Sequence, residues 1–419
     1  MTEFMKTYKL KITVFSPVHI GASADLEPTE YVICSEGQVA AAPQKTKETV
    51  IICPVCYHKN PIDAWYCGNC GEDLPKQTAP IRQAEQPKAT GSFLYTFTPG
   101  QLKEALAVSS WKSFCDIVRK NDANSLRELL NFFRNNKRDI AAKGTKRAKV
   151  CAEFVNDYGS FRNSGNNDRD INGLAVEALI SDPVTGRPYI PGTEIKGAIR
   201  TALMSAKNKT IQLNRQRFIY HNYRKNRNEA KKEAGSVAEQ KLYKYQSVDA
   251  DPFKALKISD AMLAAEPFCS EIAFSERKLP ERVIKNYVEI IPEGTSFVFD
   301  LSVWEDWVWE GCNFDETIET IRDACNKFYI DLLEEENSRK WDGNMDRGIL
   351  EPLREKAKVS GCFILNLGKH GGAEGKTIDG LRIIENRQTH QLNDHAETFC
   401  KANGVKPFGW CVVEFEEAK

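Results

Sequence analysis

The stretch PYIPGTEIKGAIRTALM, residues 188–204, carries the most informative pattern in the chain. A Pro-Gly turn precedes a run in which apolar residues recur at helical spacing from Ile195 onward, so the segment predicts an amphipathic helix over residues 194–204. Thr193 is of the type that caps helix starts, and Glu194 complements the positive end of the helix dipole. The pattern therefore predicts a helix with one buried face directly after a tight turn.

The polar face of this helix offers groups that bind anions. Lys196 and Arg200 are four residues apart and share one edge of the helix. Gly192 and Gly197 would let another backbone approach closely. N–H groups at a helix start beside two cations make a natural phosphate site. An ordinary amphipathic helix whose cations extend to solvent explains the same residues, so both interpretations stand at this point.

Strand patterns and helical patterns are interleaved on both sides of this helix. Residues 8–15 alternate in polarity, as a half-buried strand does. Further strands are predicted at 30–34, 93–97, 176–180, 256–263, 287–292, 296–304, 363–367, 381–384 and 410–416. Helices are predicted at 99–135 and 315–337, whereas the composition of 137–172 predicts a mobile loop. Interleaved strands and helices with long insertions predict an α+β fold.

Two CxxC pairs, ten residues apart, form a metal-binding motif. They comprise Cys53, Cys56, Cys67 and Cys70. Four thiolates fill a tetrahedral shell, which predicts one structural Zn²⁺ per chain, and so short a segment needs the metal in order to fold. Polar, Pro-bearing linkers at 41–49 and 75–91 mark residues 50–74 as an inserted zinc ribbon. A redox dithiol pair or a coincidence would give the same spacing.

Charge is balanced over the whole chain but not locally. Lys+Arg and Asp+Glu are equal at 58 each in 419 residues. Residues 207–232 nevertheless hold nine Lys/Arg against one acid, and residues 134–149 hold seven against one. Such a local excess suits one anionic partner, although solvated basic loops have the same composition.

Composition also sets an expectation about the compartment. No run approaches 18 apolar residues, and the N-terminus lacks a signal-peptide pattern. Thirteen cysteines, an odd number, argue for reduced thiols. We therefore expect a cytoplasmic protein with no membrane partner.

PYIPGTEIKGAIRTAL resembles the hallmark helix of RAMP proteins, the ferredoxin-like subunits that coat CRISPR RNA. Other segments resemble this family in the same order along the chain. They are YKLKITVFSPVHIGA (8–22), EYVI (30–33), FLYTFTPGQLKEAL (93–106), VEIIPEGTSFVFDLSV (288–303), the Gly-rich loop 368–375 and PFGW (407–410). The order and spacing best resemble the fifth-subunit family of type III-A (Csm) effector complexes, although the zinc ribbon is not part of that pattern.

The resemblance implies both architecture and function. It implies a ferredoxin-like (RRM-like) RAMP core over 1–40 and 92–310, with 311–419 completing this core or forming a second RAMP-like module. It implies a non-catalytic scaffold that binds CRISPR guide RNA and caps the filament toward the 3′ part of the guide. That role would support guide maturation and antiviral defence. The implied partners are neighbouring RAMP backbone subunits and, at maturation, host nucleases.

Candidate RNA-binding residues follow from the matching segments and the basic stretch. They are His19, Gly192, Thr193, Lys196, Arg200, Arg215, Arg217, Arg224, Gly368, Gly371, Gly372, Gly375 and Lys376. Two other classes of function compete with the scaffold. An endoribonuclease that processes or cleaves RNA could use His19, for which the sequence offers no partner, or the loop residues Asp168 and Asp170. A DNA-binding zinc protein is disfavoured because residues 53–74 hold one Lys against three acids.

Overall fold

A computed structural model describes most of the chain. The described residues are 5–39, 50–52, 55–56, 59–61, 69–70, 91–122, 124–160, 173–215, 236–279, 283–304, 307–309, 312–385, 392–396 and 399–415. They form two compact units, a core unit of residues 1–28 and 148–419 and an inserted unit of residues 29–147. No helix among the described residues combines the length and apolarity that a membrane crossing requires.

Strands and helices alternate through both units. The strands are β1 Lys6–Val14, β2 Tyr31–Ser35, β3 Val50–Ile52, β4 Lys59–Pro61, β5 Ser92–Thr96, β6 Thr145–Val150, β7 Val176–Glu177, β8 Tyr189–Ile190, β9 Leu256–Ile258, β10 Ala261–Leu263, β11 Ser270–Lys278, β12 Val283–Ile290, β13 Ser296–Val303, β14 Trp307–Trp309, β15 Cys312–Phe314, β16 Cys362–Asn366, β17 Ile384–Glu385, β18 Leu392–Asn393, β19 Cys400–Ala402 and β20 Trp410–Phe415. The helices are α1 Pro99–Ala105, α2 Val108–Lys120, α3 Ser125–Asn135, α4 Lys137–Lys143, α5 Ala152–Ser160, α6 Gly192–Ile211, α7 Ile318–Lys340 and α8 Arg347–Lys356.

The main sheet of the core unit has ferredoxin-like topology. In chain order β1, α6, β10, β13, α7 and β20 form a βαββαβ series, with other elements inserted between them. The strands lie in the order β20-β1-β13-β10 and every pairing is antiparallel. Strand β16 extends the sheet beyond β20, and β8 extends it beyond β10. The α+β, ferredoxin-like fold class predicted from the sequence is confirmed.

Hydrophobic burial between the sheet and its helices holds this layer together. Strand β1 buries Leu10 and Ile12 on one face, as its alternating pattern predicts. The apolar stripe of α6, which includes Ile195 and Ile199, is fully buried against this layer. Each buried aliphatic side chain contributes roughly 1.5–3 kcal/mol relative to exposure. The regular spacing of apolar residues in α6 therefore determines which face of the helix packs on the sheet.

A second set of strands in the core unit surrounds the hairpin of β11 and β12. These two strands pair antiparallel over their full overlap, from Glu271 opposite Ile290 to Lys278 opposite Val283. The end of β6 runs parallel to β11, and β7 runs parallel to β12. Strand β7 brings Glu177 to this layer. Glu177 there lies close to His19 and His370, which are distant from it in the sequence.

The inserted unit has its own hydrophobic centre. Strands β2 and β5 pair antiparallel from Tyr31 opposite Thr96 to Ser35 opposite Ser92. Helix α1 begins with a capping box, in which Thr98 and Gln101 exchange side-chain and backbone hydrogen bonds. Strands β3 and β4 pair antiparallel, from Val50 opposite Pro61 to Ile52 opposite Lys59.

Two local predictions need correction. The key helix begins at Gly192, so Thr193 is its second residue and not its N-cap. A remote carboxylate supplies the cap, because the Gly192 N–H donates to Asp260 Oδ1 at 2.8 Å. Much of the predicted loop 137–172 is ordered as α4, β6 and α5, since buried Ile140 and Phe154 anchor it despite its polar composition. The domain limits predicted from the sequence stay a prediction.

Candidate nucleic-acid interface

A cleft of about 200 Å³ lies between the first turns of α6 and the Gly-rich loop after β16. Its lining consists of Thr193, Glu194, Gly197, Ala198, Thr201, Asn366, Gly375 and Lys376. Tyr329 of α7 contacts both walls of the cleft. Its hydroxyl donates to the carbonyl of Ala198 at 3.1 Å and lies 3.4 Å from that of Gly375. Two sequence segments that resemble the RAMP family thus meet at one cleft.

Gly197 leaves the helix wall of this cleft open. A Cβ atom built on Gly197 would meet no atom of the described residues within 4 Å, and the residue is exposed. The free space shows that no packing contact requires a glycine here. A mid-helix glycine nevertheless costs roughly 0.5–1 kcal/mol relative to alanine. Lys376 provides a cation on the opposite wall, 3.9 Å from Glu194 and about half exposed. The cleft therefore combines free space beside a helix with an accessible positive charge.

Gly192 is a glycine for a different reason. A Cβ at this position would lie 2.5 Å from the Ile258 carbonyl oxygen and 2.7 Å from that of Ser259. Helix α6 therefore packs directly on the backbone before β10. The first N–H of the helix, that of Gly192, thus donates to the Asp260 carboxylate and not to a bound anion.

Lys196 and Arg200 are both engaged within the protein. Lys196 Nζ donates to the carbonyls of Phe253 and Leu256, at 2.8 and 2.7 Å. Burial, reinforced by the charge of Lys257, lowers the pKa of Lys196. Alanine at Lys196 would therefore lower stability, because the two carbonyls would lose their donor.

Arg200 is held by a carboxylate pair and an aromatic ring. Its guanidinium forms ion pairs with Glu239 and, at 3.1 Å, with Asp251. The same group lies over the ring of Phe253, 4.5 Å from the centroid. A phosphate contact by Arg200 would compete with these neighbours.

The glycines of the Gly-rich loop mostly serve its own packing. Gly368 has φ +78° and lies against the His19 backbone, where a Cβ would be 2.3 Å from the carbonyl oxygen. A Cβ on Gly371 would meet Asn366 Oδ1 at 2.3 Å. Gly372 lies beside the buried side chains of Glu374 and Lys340. Of the predicted loop residues, Gly375 and Lys376 are the ones that line the cleft.

Several other predicted residues lie away from the cleft. His19 is fully buried, and burial lowers its pKa. Arg215 donates through Nε to the Arg382 carbonyl at 2.8 Å. Arg217 and Arg224, together with Asp168 and Asp170 of the nuclease alternative, lie outside the described residues.

The predicted ribbon is described in part. Cys56 and Cys70 are among the described residues, whereas Cys53 and Cys67 are not. Zinc binding by the four thiolates stays a prediction.

Metal analysis of the full-length chain checks the ribbon. We expect Cys67→Ser combined with Cys70→Ser to remove one zinc equivalent, because a tetrahedral thiolate site cannot hold structural zinc with half of its ligands. The matched control is Cys115→Ser with Cys151→Ser, which changes two cysteines outside the motif. An unchanged zinc content in the ribbon variant would contradict the assignment.

Comparison with known proteins places the chain in a family. A sequence model of the RAMP superfamily matches residues 11–336, most of the chain. The chain belongs to the RAMP superfamily. No curated protein matches its sequence.

Two solved structures are similar to this chain. A chain in a structure described as a cryo-EM Csm-crRNA-target RNA ternary complex of a type III-A CRISPR-Cas system superposes with a TM-score of 0.53 at 16% identity. The match covers 98% of this chain and 100% of that one. The crystal structure of T. onnurineus Csm5 gives a TM-score of 0.49 at 16% identity, over 96% and 99% of the two chains. At this identity, the likeness of the cryo-EM chain shows a shared fold.

Proposed function

We propose that this RAMP protein is a non-catalytic subunit of a type III CRISPR effector complex that binds guide RNA and caps the filament toward the 3′ part of the guide. The observation that carries the proposal is the open helix wall at Gly197, in the segment that most resembles the RAMP hallmark. In this role the chain supports guide maturation and antiviral defence in the cytoplasm. Its partners are the guide RNA, neighbouring RAMP backbone subunits and host maturation nucleases.

RNA backbone suits the cleft better than a base does. Gly197 allows close approach to the helix wall, and Lys376 supplies a positive charge on the opposite wall. Contacts of this kind bind phosphate without reading sequence, as a subunit that accepts many guides requires. Lys196 and Arg200 support the site indirectly, because their internal bonds fix α6 on the loop that contains Phe253.

Gly197→Glu is expected to weaken binding of single-stranded RNA at least about tenfold. A carboxylate about 5 Å from a phosphate repels it by roughly 3 kcal/mol at an effective dielectric constant near 20, and tenfold corresponds to about 1.4 kcal/mol. The loss should be similar for RNAs of unrelated sequence and should shrink at high salt. Fluorescence anisotropy with labelled RNA measures it.

Gly197→Ala is the matched control for this substitution. It adds only a methyl group to open space, so RNA affinity should change much less than in Gly197→Glu. Both variants should be at least as stable as the wild type, because either residue is a better helix former than glycine. A stable Gly197→Glu protein with wild-type RNA affinity would exclude this cleft as the RNA site.

A further inference from the structure

Three side chains that are distant in sequence converge inside the core unit. His19 lies in the loop after β1, Glu177 at the end of β7, and His370 in the Gly-rich loop. Glu177 Oε2 is 3.5 Å from His19 Nε2 and 3.2 Å from His370 Nε2. All three ligand atoms lie within 4.8 Å of one another. No local sequence pattern indicates these contacts, because the three residues are far apart along the chain.

The tautomer of His19 follows from its hydrogen bond. Nδ1 lies 2.7 Å from the carbonyl oxygen of Glu289, which can only accept, so Nδ1 bears the proton. Nε2 then presents a lone pair toward the Glu177 carboxylate. His19 is fully buried, and within the described part of the chain its Nε2 has no hydrogen-bond partner. A buried lone pair that faces a carboxylate is unfavourable, and a cation bound between them would remove the repulsion.

We propose that His19 Nε2, Glu177 Oε2 and His370 Nε2 bind one divalent transition metal ion of the zinc class. Ligand atoms at about 2.0–2.1 Å from a tetrahedral zinc are separated by roughly 3.3 Å. The two separations from Glu177 Oε2, 3.5 and 3.2 Å, are close to this value. Two imidazoles and one carboxylate are a ligand set typical of zinc and other first-row metals. Three protein ligands leave a fourth position open, unlike the four-thiolate ribbon.

The surroundings of the site resemble those of metal ligands. The Glu289 carbonyl orients His19, and Ser275 Oγ lies 3.3 Å from His370 Nδ1, so each ring has a partner at its other nitrogen. Gly21 keeps the space beside His19 open, since a Cβ there would lie 3.4 Å from Nε2. The Lys369 ammonium, 2.6 Å from Glu177 Oε2, competes with a metal for this oxygen.

Lys369 can leave when the metal enters, because its side chain is 60% exposed. A bound ion would tie the opening loop and β7 to the Gly-rich loop that also carries Lys376. The site does not depend on the proposed RNA function, because it follows from the ligand geometry alone.

Cobalt binding to the full-length chain tests the site. We expect two Co²⁺ equivalents in the wild type and one in the Cys67→Ser, Cys70→Ser variant, whose spectrum should lack thiolate charge-transfer bands. In that background, His19→Asn should remove the remaining equivalent. Asn is chosen because its amide can still donate to the Glu289 carbonyl while the Nε2 ligand is lost.

Two further variants separate metal binding from folding. Lys369→Ala should bind Co²⁺ at least as tightly as its parent, because a competing ammonium is removed. His370→Asn should lose the metal yet keep the fold, since His370 has φ +71° and Asn tolerates this backbone conformation well. The proposal is overturned if the ribbon variant binds no Co²⁺ beyond background, or if His19→Asn retains the equivalent with unchanged affinity.

Discussion

Lys340→Met is expected to lower the free energy of unfolding by about 3–5 kcal/mol. Lys340 Nζ lies 2.9 Å from Glu336 Oε1 and 3.4 Å from Glu374 Oε2, and both carboxylates are buried. Burial by itself would lower the pKa of Lys340, but the two carboxylates outweigh it and raise the pKa. Removal of the ammonium leaves two buried acids without their counterion beside Gly372, so the loss should also disturb the Gly-rich loop. Chemical denaturation at neutral pH measures the change.

Lys327→Met is the matched control on the same helix. Lys327 also pairs with an acid four residues later, Asp331 at 3.2 Å, but both side chains are largely exposed. Exposed pairs contribute at most about 1 kcal/mol. Equal losses in the two variants would show that the buried pair has no special role.

Gly192→Ala is expected to lower the free energy of unfolding by about 1–3 kcal/mol, with a corresponding loss in the population of folded, RNA-competent protein. The added methyl group would approach the backbone carbonyl oxygens of Ile258 and Ser259 at 2.5 and 2.7 Å. Backbone atoms cannot rotate away as a flexible side chain can, so α6 must move away from the backbone of residues 258 and 259. Thermal or denaturant unfolding monitored by circular dichroism reports the cost.

Gly197→Ala, five residues along the same helix, should have the opposite sign. Its methyl group enters open space and gains roughly 0.5–1 kcal/mol of helix propensity. If Gly192→Ala proved as stable as Gly197→Ala, the close packing of α6 on the backbone of Ile258 and Ser259 would be refuted. The pair thus separates a glycine that the fold needs from one that it does not.

Local periodicity was sufficient to predict much of the fold. The predicted strands over 8–15 and 296–304 correspond to β1 and β13, which pair at the centre of the main sheet. The predicted helix over 315–337 corresponds to α7, displaced by three residues at each end. These elements are predictable because one face of each is buried, and burial imposes a regular spacing of apolar residues.

Contacts between residues that are far apart along the chain could not be predicted from the sequence. Lys196 carries the pattern of an exposed cation, yet Phe253 and Leu256 bring carbonyl oxygens to it from a distant segment. His19 acquires partners only when β7 and the Gly-rich loop fold against it. Local spacing contains no information about such neighbours. Family resemblance pointed to Thr193, Gly375 and Lys376, which line the cleft, but neither the cleft itself nor the histidine cluster was predicted.

Sequencing of the RNA that accompanies the full-length chain from its native host tests the proposed function most directly. We predict short RNAs of defined length that derive from CRISPR arrays, together with other RAMP subunits. Their yield should fall with Gly197→Glu and persist with Gly197→Ala. An RNA population that mirrors total cellular RNA, or a chain that purifies without RNA and without RAMP partners, would contradict the account.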